Sequence, residues 1–247
     1  MLGTLRLSGQ PRKHINHLDD FEAADPQTKK AFLYAVEIND QDLLPLAEHH
    51  SPSGADSFYV LHDGSATWGI PGEPQIVALH LQRDLVAKTF HFEHAPLPLP
   101  SMAQSWLIHR GCPPDKIALN PGLGPPPADE ATRALEQRLR GDGDHFAYGY
   151  SYTSDSSDDM VTVVALRAMD ERALSPFRVV VEEVDTTVWT HTLREGGFAT
   201  REEAVQWCND RIGGTAGPLP PVHPAASPTR PASLPKTPAA RPPGRAR

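Results

Sequence analysis

The clearest hydrophobic pattern lies in the carboxy-terminal half of the chain. Short runs rich in β-branched residues, 161–166 and 177–184, and an alternating run at 188–193, are bounded by turn formers, which predicts strands rather than helices. Asp185 and Thr186 leave room only for a tight reversal, so the last two runs are expected to form a hairpin. After Gly196 and Gly197 a helix start is written locally: Thr200 caps the free amides and Glu203 reaches back to it. Ala204, Trp207, Cys208 and Ile212 follow at helical spacing, and Gly213 is placed to stop the helix in a left-handed turn. Upstream, 128–140 reads as a helix with Ala131, Leu135 and Leu139 on one stripe, and 146–152 as a strand.

The amino-terminal half is less regular. Asp25 followed by Pro26 marks a helix start, with Phe32, Ala35 and Val36 as its apolar face. Asp40 or Asp42 opens a second, short helix through Leu43, Leu44 and Leu46, limited by Pro45. Strands are expected at 58–62, 76–81 and 85–94, forming a meander with one wet face. Ser101 and Gln104 fit a capping box for a further helix that ends at Gly111. No internal repeat is legible in the residues themselves. The expected class is therefore α+β: two small antiparallel-sheet units with flanking helices, the second running helix, four strands, helix, plus a disordered proline-rich tail. The boundaries are 1–119, with 1–20 loosely ordered; a Pro/Gly linker at 120–127; 128–213; and the tail at 214–247.

Composition changes this picture mainly at the end of the chain. Ten of the 26 prolines, five basic residues (Arg230, Lys236, Arg241, Arg245, Arg247) and no acid fall in 214–247. The rest carries 18 basic against 31 acidic residues, a net charge of −13. An acidic body disfavours broad contact with phosphate backbones, while the basic tail can still meet an anionic partner. Two cysteines without metal-ligand spacing suit a reducing cytoplasm. With neither a signal sequence nor a membrane-length apolar run, a cytoplasmic location and no membrane partner are expected.

Candidate chemistry is sparse. Phe146, Tyr148, Tyr150 and Tyr152 alternate with small residues, which places four rings on one strand face. Packing beneath the helices is favoured over a stacking platform for bases or sugars, because acidic residues flank the row and no basic residue interleaves it. Among the 12 histidines, His91 and His94 with His62 form the candidate divalent-metal set, extended by His49 and Glu93; in a strand, however, residues three apart point to opposite sides. No resident cofactor is expected. The chain has no HExxH, nucleotide loop or complete nucleophile elbow, and the Asp155 to Asp159 loop lacks the calcium pattern.

Gly196-Gly197-Phe198-Ala199-Thr200, followed by Glu203-Ala204 and Trp207, resembles the end of the small three-stranded amino-terminal domain of tyrosine recombinases, a family that grips arm-type DNA sites with its sheet. The resemblance is a fold analogy over about 50 residues. The resemblance implies a DNA-gripping sheet surface; the strands here depart from it by offering Arg178 and Arg194 against Glu182, Glu183, Asp185 and Glu195. The function expected is thus non-catalytic, an accessory or regulatory protein whose carboxy-terminal sheet and basic tail recognise a protein. The alternatives are a metal-dependent hydrolase built on the central histidines and a nucleic-acid-binding accessory protein of the recombinase-arm type.

Overall fold

A computed structural model describes residues 18, 20–38, 40–141, 146–170 and 173–223. The fold is α+β, with one five-stranded and one four-stranded sheet. The first unit contains β1 (Glu22–Ala23), α1 (Pro26–Phe32) running on as a π-helical turn over Leu33–Glu37, β2 (Leu43–His50) and β3 (Asp56–Asp63). It continues with α2 (Ala66–Gly69), β4 (Ile76–Asp84), β5 (Thr89–Leu97) and α3 (Pro100–Ile108). The second unit is α4 (Glu130–Gly141), β6 (Phe146–Ser156), β7 (Asp159–Ala168), β8 (Phe177–Asp185), β9 (Thr190–Phe198) and α5 (Arg201–Ile212). The sheets run β1-β5-β4-β3-β2 and β6-β7-β8-β9, antiparallel throughout except where β1 joins β5 in parallel.

The two units are one design built twice. In each, an Asp caps the first helix by accepting from the backbone and the hydroxyl of a Thr three residues on, Asp25 with Thr28 and Asp129 with Thr132. The first meander strand carries a bulge at the same place, between Pro45 and Ala47 opposite Leu61 and Val60, and between Tyr148 and Tyr150 opposite Leu166 and Ala165. Asp84 and Asp185 each cap a hairpin turn by accepting two backbone N–H groups, and Lys88 and Trp189 follow at φ 55°. The last two strands share one register, Ile76 with Leu97 and Phe177 with Phe198, three residues before a helix. Ala103 and Trp106 of α3 and Arg110 in the turn after it stand where Ala204, Trp207 and Arg211 of α5 stand. Each arginine pairs with a sheet carboxylate, Arg110 with Glu93 and Arg211 with Glu183 and Asp159. The repeat lies in backbone register and in a handful of side chains, so it escapes a reading of the residues alone.

In each unit the first helix covers one sheet face and the second covers the other. Phe32 and Val36 close over Tyr59, Leu61, Leu79, Leu81 and Phe90, while Ala103 and Leu107 close over Phe58, Val60 and Ala78. Likewise Leu135 and Leu139 meet Val164, Leu166 and Val180, and Ala204 and Cys208 meet Val163 and Val179. The units pack together: Leu99 and Met102 at the start of α3 join the cluster around α4, and Gly72 lies against the Tyr152 ring while its carbonyl accepts from the Thr153 N–H at 3.1 Å. Asp155 accepts from Thr67 and Gln75 across the same junction.

Several local expectations change. Residues 43–50 form strand β2, not a short helix; Pro45 is tolerated because β2 is a sheet edge and the proline sits beside a bulge. Leu85 and Val86 belong to the turn before β5, because Asp84 accepts the turn's amides. Pro100 opens α3 without a side-chain cap, and Gln104 instead donates to the Ile117 carbonyl. The Thr200 and Glu203 capping box forms as expected, but Gly196 and Gly197 lie inside β9, and the left-handed glycine is Gly214, not Gly213.

The expected linker and the start of the expected tail both pack on β9. His191 donates its N–H to the Pro126 carbonyl at 3.0 Å and accepts from Ala128 N–H at 2.8 Å, so 125–128 extends the sheet. At the other end of β9, Gly197 N–H donates to the Pro220 carbonyl at 3.1 Å and His223 N–H to Ser175 at 3.0 Å. Both segments satisfy backbone groups that an edge strand would otherwise leave open.

Candidate functional site

The candidate metal set is not brought together. His62 pairs with Ile76 at one end of β4, whereas His91 pairs with Gln82, about 20 Å away at the rise of an extended strand. His94 points to the face opposite His91 and stacks on Phe92. Burial holds the pKa of His62 and His94 below the usual imidazole value, although Asp63 and Asp155 oppose the effect at His62. His49 stacks in a row with Phe58 and His80, and Glu93 is engaged by Arg110. Among the described residues, no group of three metal-ligating side chains converges.

The aromatic row on β6 is divided. The bulge at Gly149 adds one residue between Tyr148, opposite Leu166, and Tyr150, opposite Ala165, so Tyr148 and Tyr150 face opposite sides of the sheet. Tyr150 packs toward α5 and Tyr152 against Gly72; the Phe146 ring lies outside the described residues. Arg178 is buried, donating to the Ser175 carbonyl and to Glu195, which also binds Arg138. Arg194 reaches Asp129 and Thr132 at the α4 cap. Both arginines tie the second unit together rather than form an open basic surface. Arg230, Lys236, Arg241, Arg245 and Arg247 lie outside the described residues.

Comparing the units isolates what is special to each. At the positions of Phe32, Leu81 and Phe90 in the first core, the second unit holds Glu136, Glu182 and His191. His191 is held on both ring nitrogens, by the Pro125 carbonyl at 2.8 Å and Glu136 at 3.0 Å, with Glu182 at 3.9 Å. Both neighbours can accept, an arrangement that favours a proton on each nitrogen, the imidazolium form. Burial opposes that charge, but Glu136, Glu182 and the carbonyl outweigh it and raise the pKa. Burial likewise raises the pKa of Glu182.

The first unit has its own polar cluster where the second holds only valines and threonines. Arg83, Tyr59, Ser57 and His50 occupy the positions of Val184, Val164, Thr162 and Thr153. Arg83 Nη1 donates to Ser57 Oγ at 2.8 Å and to the Gly54 carbonyl at 3.4 Å, and His50 Nδ1 lies 2.8 Å from the same hydroxyl. The Tyr59 phenol is pushed above its usual pKa by burial, against the pull of nearby Arg83 and Ser57. Sequence reasoning missed this cluster, since a lone Arg near a strand end carries no motif. On the opposite face, His80 Nε2 meets Asp56 at 3.0 Å and the ring stacks on Phe58 with centroids 4.3 Å apart.

On the outer surface, the π-helical turn leaves Tyr34 61% and Ile38 58% exposed, with Leu33 beside them. Tyr34 and Ile38 are one turn apart, and Ile38 N–H donates to the Leu33 carbonyl, so the three share one patch while Val36 faces inward. No helix among the described residues is long and apolar enough to cross a membrane. No family model, curated protein or solved structure matches the chain.

Proposed function

We propose that the protein works by binding rather than by chemistry, as an accessory or regulatory protein, and that a partner protein lays an apolar helix on the outer side of α1. The observation that carries this reading is the Leu33, Tyr34 and Ile38 patch on the first helix of a repeated unit. Exposed apolar groups gathered on one turn are typical of interaction sites, and aromatic residues dominate the binding energy of such sites. The free, buried Cys112 and Cys208 fit a reducing cytoplasm.

The test compares the wild-type chain with the double variant Tyr34→Glu, Ile38→Glu, whose side chains are exposed and whose fold should survive. A lysine-reactive cross-linker should join partners through Lys29 or Lys30 in the last turn of α1. The double variant should lose those cross-links and bind the captured partner at least about tenfold more weakly. Equal capture by both proteins sinks the reading.

A further inference from the structure

The polar cluster under α1 contains a guanidinium with three of its five N–H donors unused among the described residues. Arg83 is only 9% exposed, yet among the described residues its Nε and Nη2 have no hydrogen-bond partner, and neither does the hydroxyl of Tyr59, which is 1% exposed. Among the described residues, no carboxylate forms an ion pair with Arg83. Nε and Nη2 make up one edge of the guanidinium, the edge that grips a carboxylate through two parallel hydrogen bonds. A buried charge left this way is costly, and the framework does not require it, because the second unit builds the same sheet with Val184 and Val164 at these positions.

We propose that Arg83, with Tyr59, forms a binding site for the carboxylate of a small organic acid. Charge balance selects the class. One carboxylate neutralises one guanidinium, whereas a phosphate dianion would leave an excess negative charge beside the apolar cluster of Phe32, Leu81 and Phe90. Tyr59 keeps its proton under burial and can donate it to the bound oxygen. The apolar neighbours favour an acid with a hydrocarbon body. Phe21 lies over the guanidinium, 5.8 Å from ring centroid to Cζ, and also over Lys88. Its segment is held to the sheet edge by Glu22 N–H to the Lys88 carbonyl and Ala24 N–H to the Phe90 carbonyl. Phe21 is thus the aromatic group at the sheet edge over Arg83, and we take it as the cover an entering acid displaces.

The site is tested on the full chain by thermal unfolding in sodium butyrate, benzoate, phosphate or chloride at matched ionic strength, using the wild type, Arg83→Met and Tyr59→Phe. At about 100 times Kd, a carboxylate should raise the wild-type Tm by roughly 5 to 10 °C, with phosphate and chloride ineffective. Arg83→Met should melt no lower than wild type without carboxylate and should not respond to it; Tyr59→Phe should respond less than wild type. The proposal is overturned if neither carboxylate shifts the wild type, if phosphate acts equally, or if Arg83→Met responds like wild type. Should Arg83→Met fail to fold, the wild-type guanidinium Nε–H resonance decides: it moves during a benzoate titration, or the proposal fails.

Discussion

Gly197→Ala tests how the chain after α5 is held. A Cβ at this position would lie 2.6 Å from Ser175 Oγ, 2.8 Å from Ser175 Cβ and 3.0 Å from Val222 Cα. Ser175 is 2% exposed and Val222 contributes backbone, so neither neighbour can swing aside cheaply. The strap must lift, which breaks the Gly197 to Pro220 and His223 to Ser175 hydrogen bonds and loosens Leu219 from the apolar cluster under α5. Two hydrogen bonds contribute about 2 kcal/mol and the partly buried leucine about 1 to 2 more. The stiffer unfolded chain of the alanine variant returns about 1. A net loss of about 2 to 3 kcal/mol lowers Tm by roughly 4 to 12 °C for a domain of this size. Scanning calorimetry reads it, with Gly217→Ala, whose Cβ meets nothing within 4 Å, as the control on the same strap. If both variants melt with the wild type, the strap is not packed on β9 as described.

The His191 cluster predicts a pH dependence. Its folded pKa is raised, so its contribution is complete below about pH 6.5, the unfolded value, and is lost as pH rises through the folded value. The raised Glu182 pKa acts in the same direction. The Tm difference between wild type and His191→Gln should therefore shrink from about pH 5.5 to about pH 8.5; a constant or growing difference would refute the imidazolium assignment. Burial pushes the thiols of Cys112 and Cys208 up to about 11, so a thiol reagent at neutral pH should find both unreactive until denaturant is added. Fast reaction of either in the native protein would contradict its packing.

Local signals in the chain were enough for most elements. Runs of alternating or β-branched residues marked β3, β4, β7 and β8, and capping chemistry marked α1 and α5, because periodicity and caps act within a turn or two of backbone. The same locality misled where a partner strand decides the outcome. Leu43, Leu44 and Leu46 suit a helix until β3 offers its edge, and the aromatic alternation of β6 holds until a bulge at Gly149 reverses its phase.

What the sequence determined by itself was the class of the protein, α+β with two sheet-and-helix units, together with the amino-terminal caps of α1 and α5 and the inward Ala204 and Cys208 of α5. Tertiary structure alone decided the rest. That the two units repeat is recorded in strand registers, which relate residues far apart in the chain. The packing of 125–128 and 219–222 on β9 arises because an edge strand has open hydrogen-bonding groups that nearby segments can satisfy. Arg178 and Arg194 turn out to be braces because their carboxylate partners, Glu195 and Asp129, meet them only on folding. Arg83 became a candidate site for the opposite reason: its distinction is the partner it lacks among the described residues, which strand pairing and packing reveal and a linear reading does not.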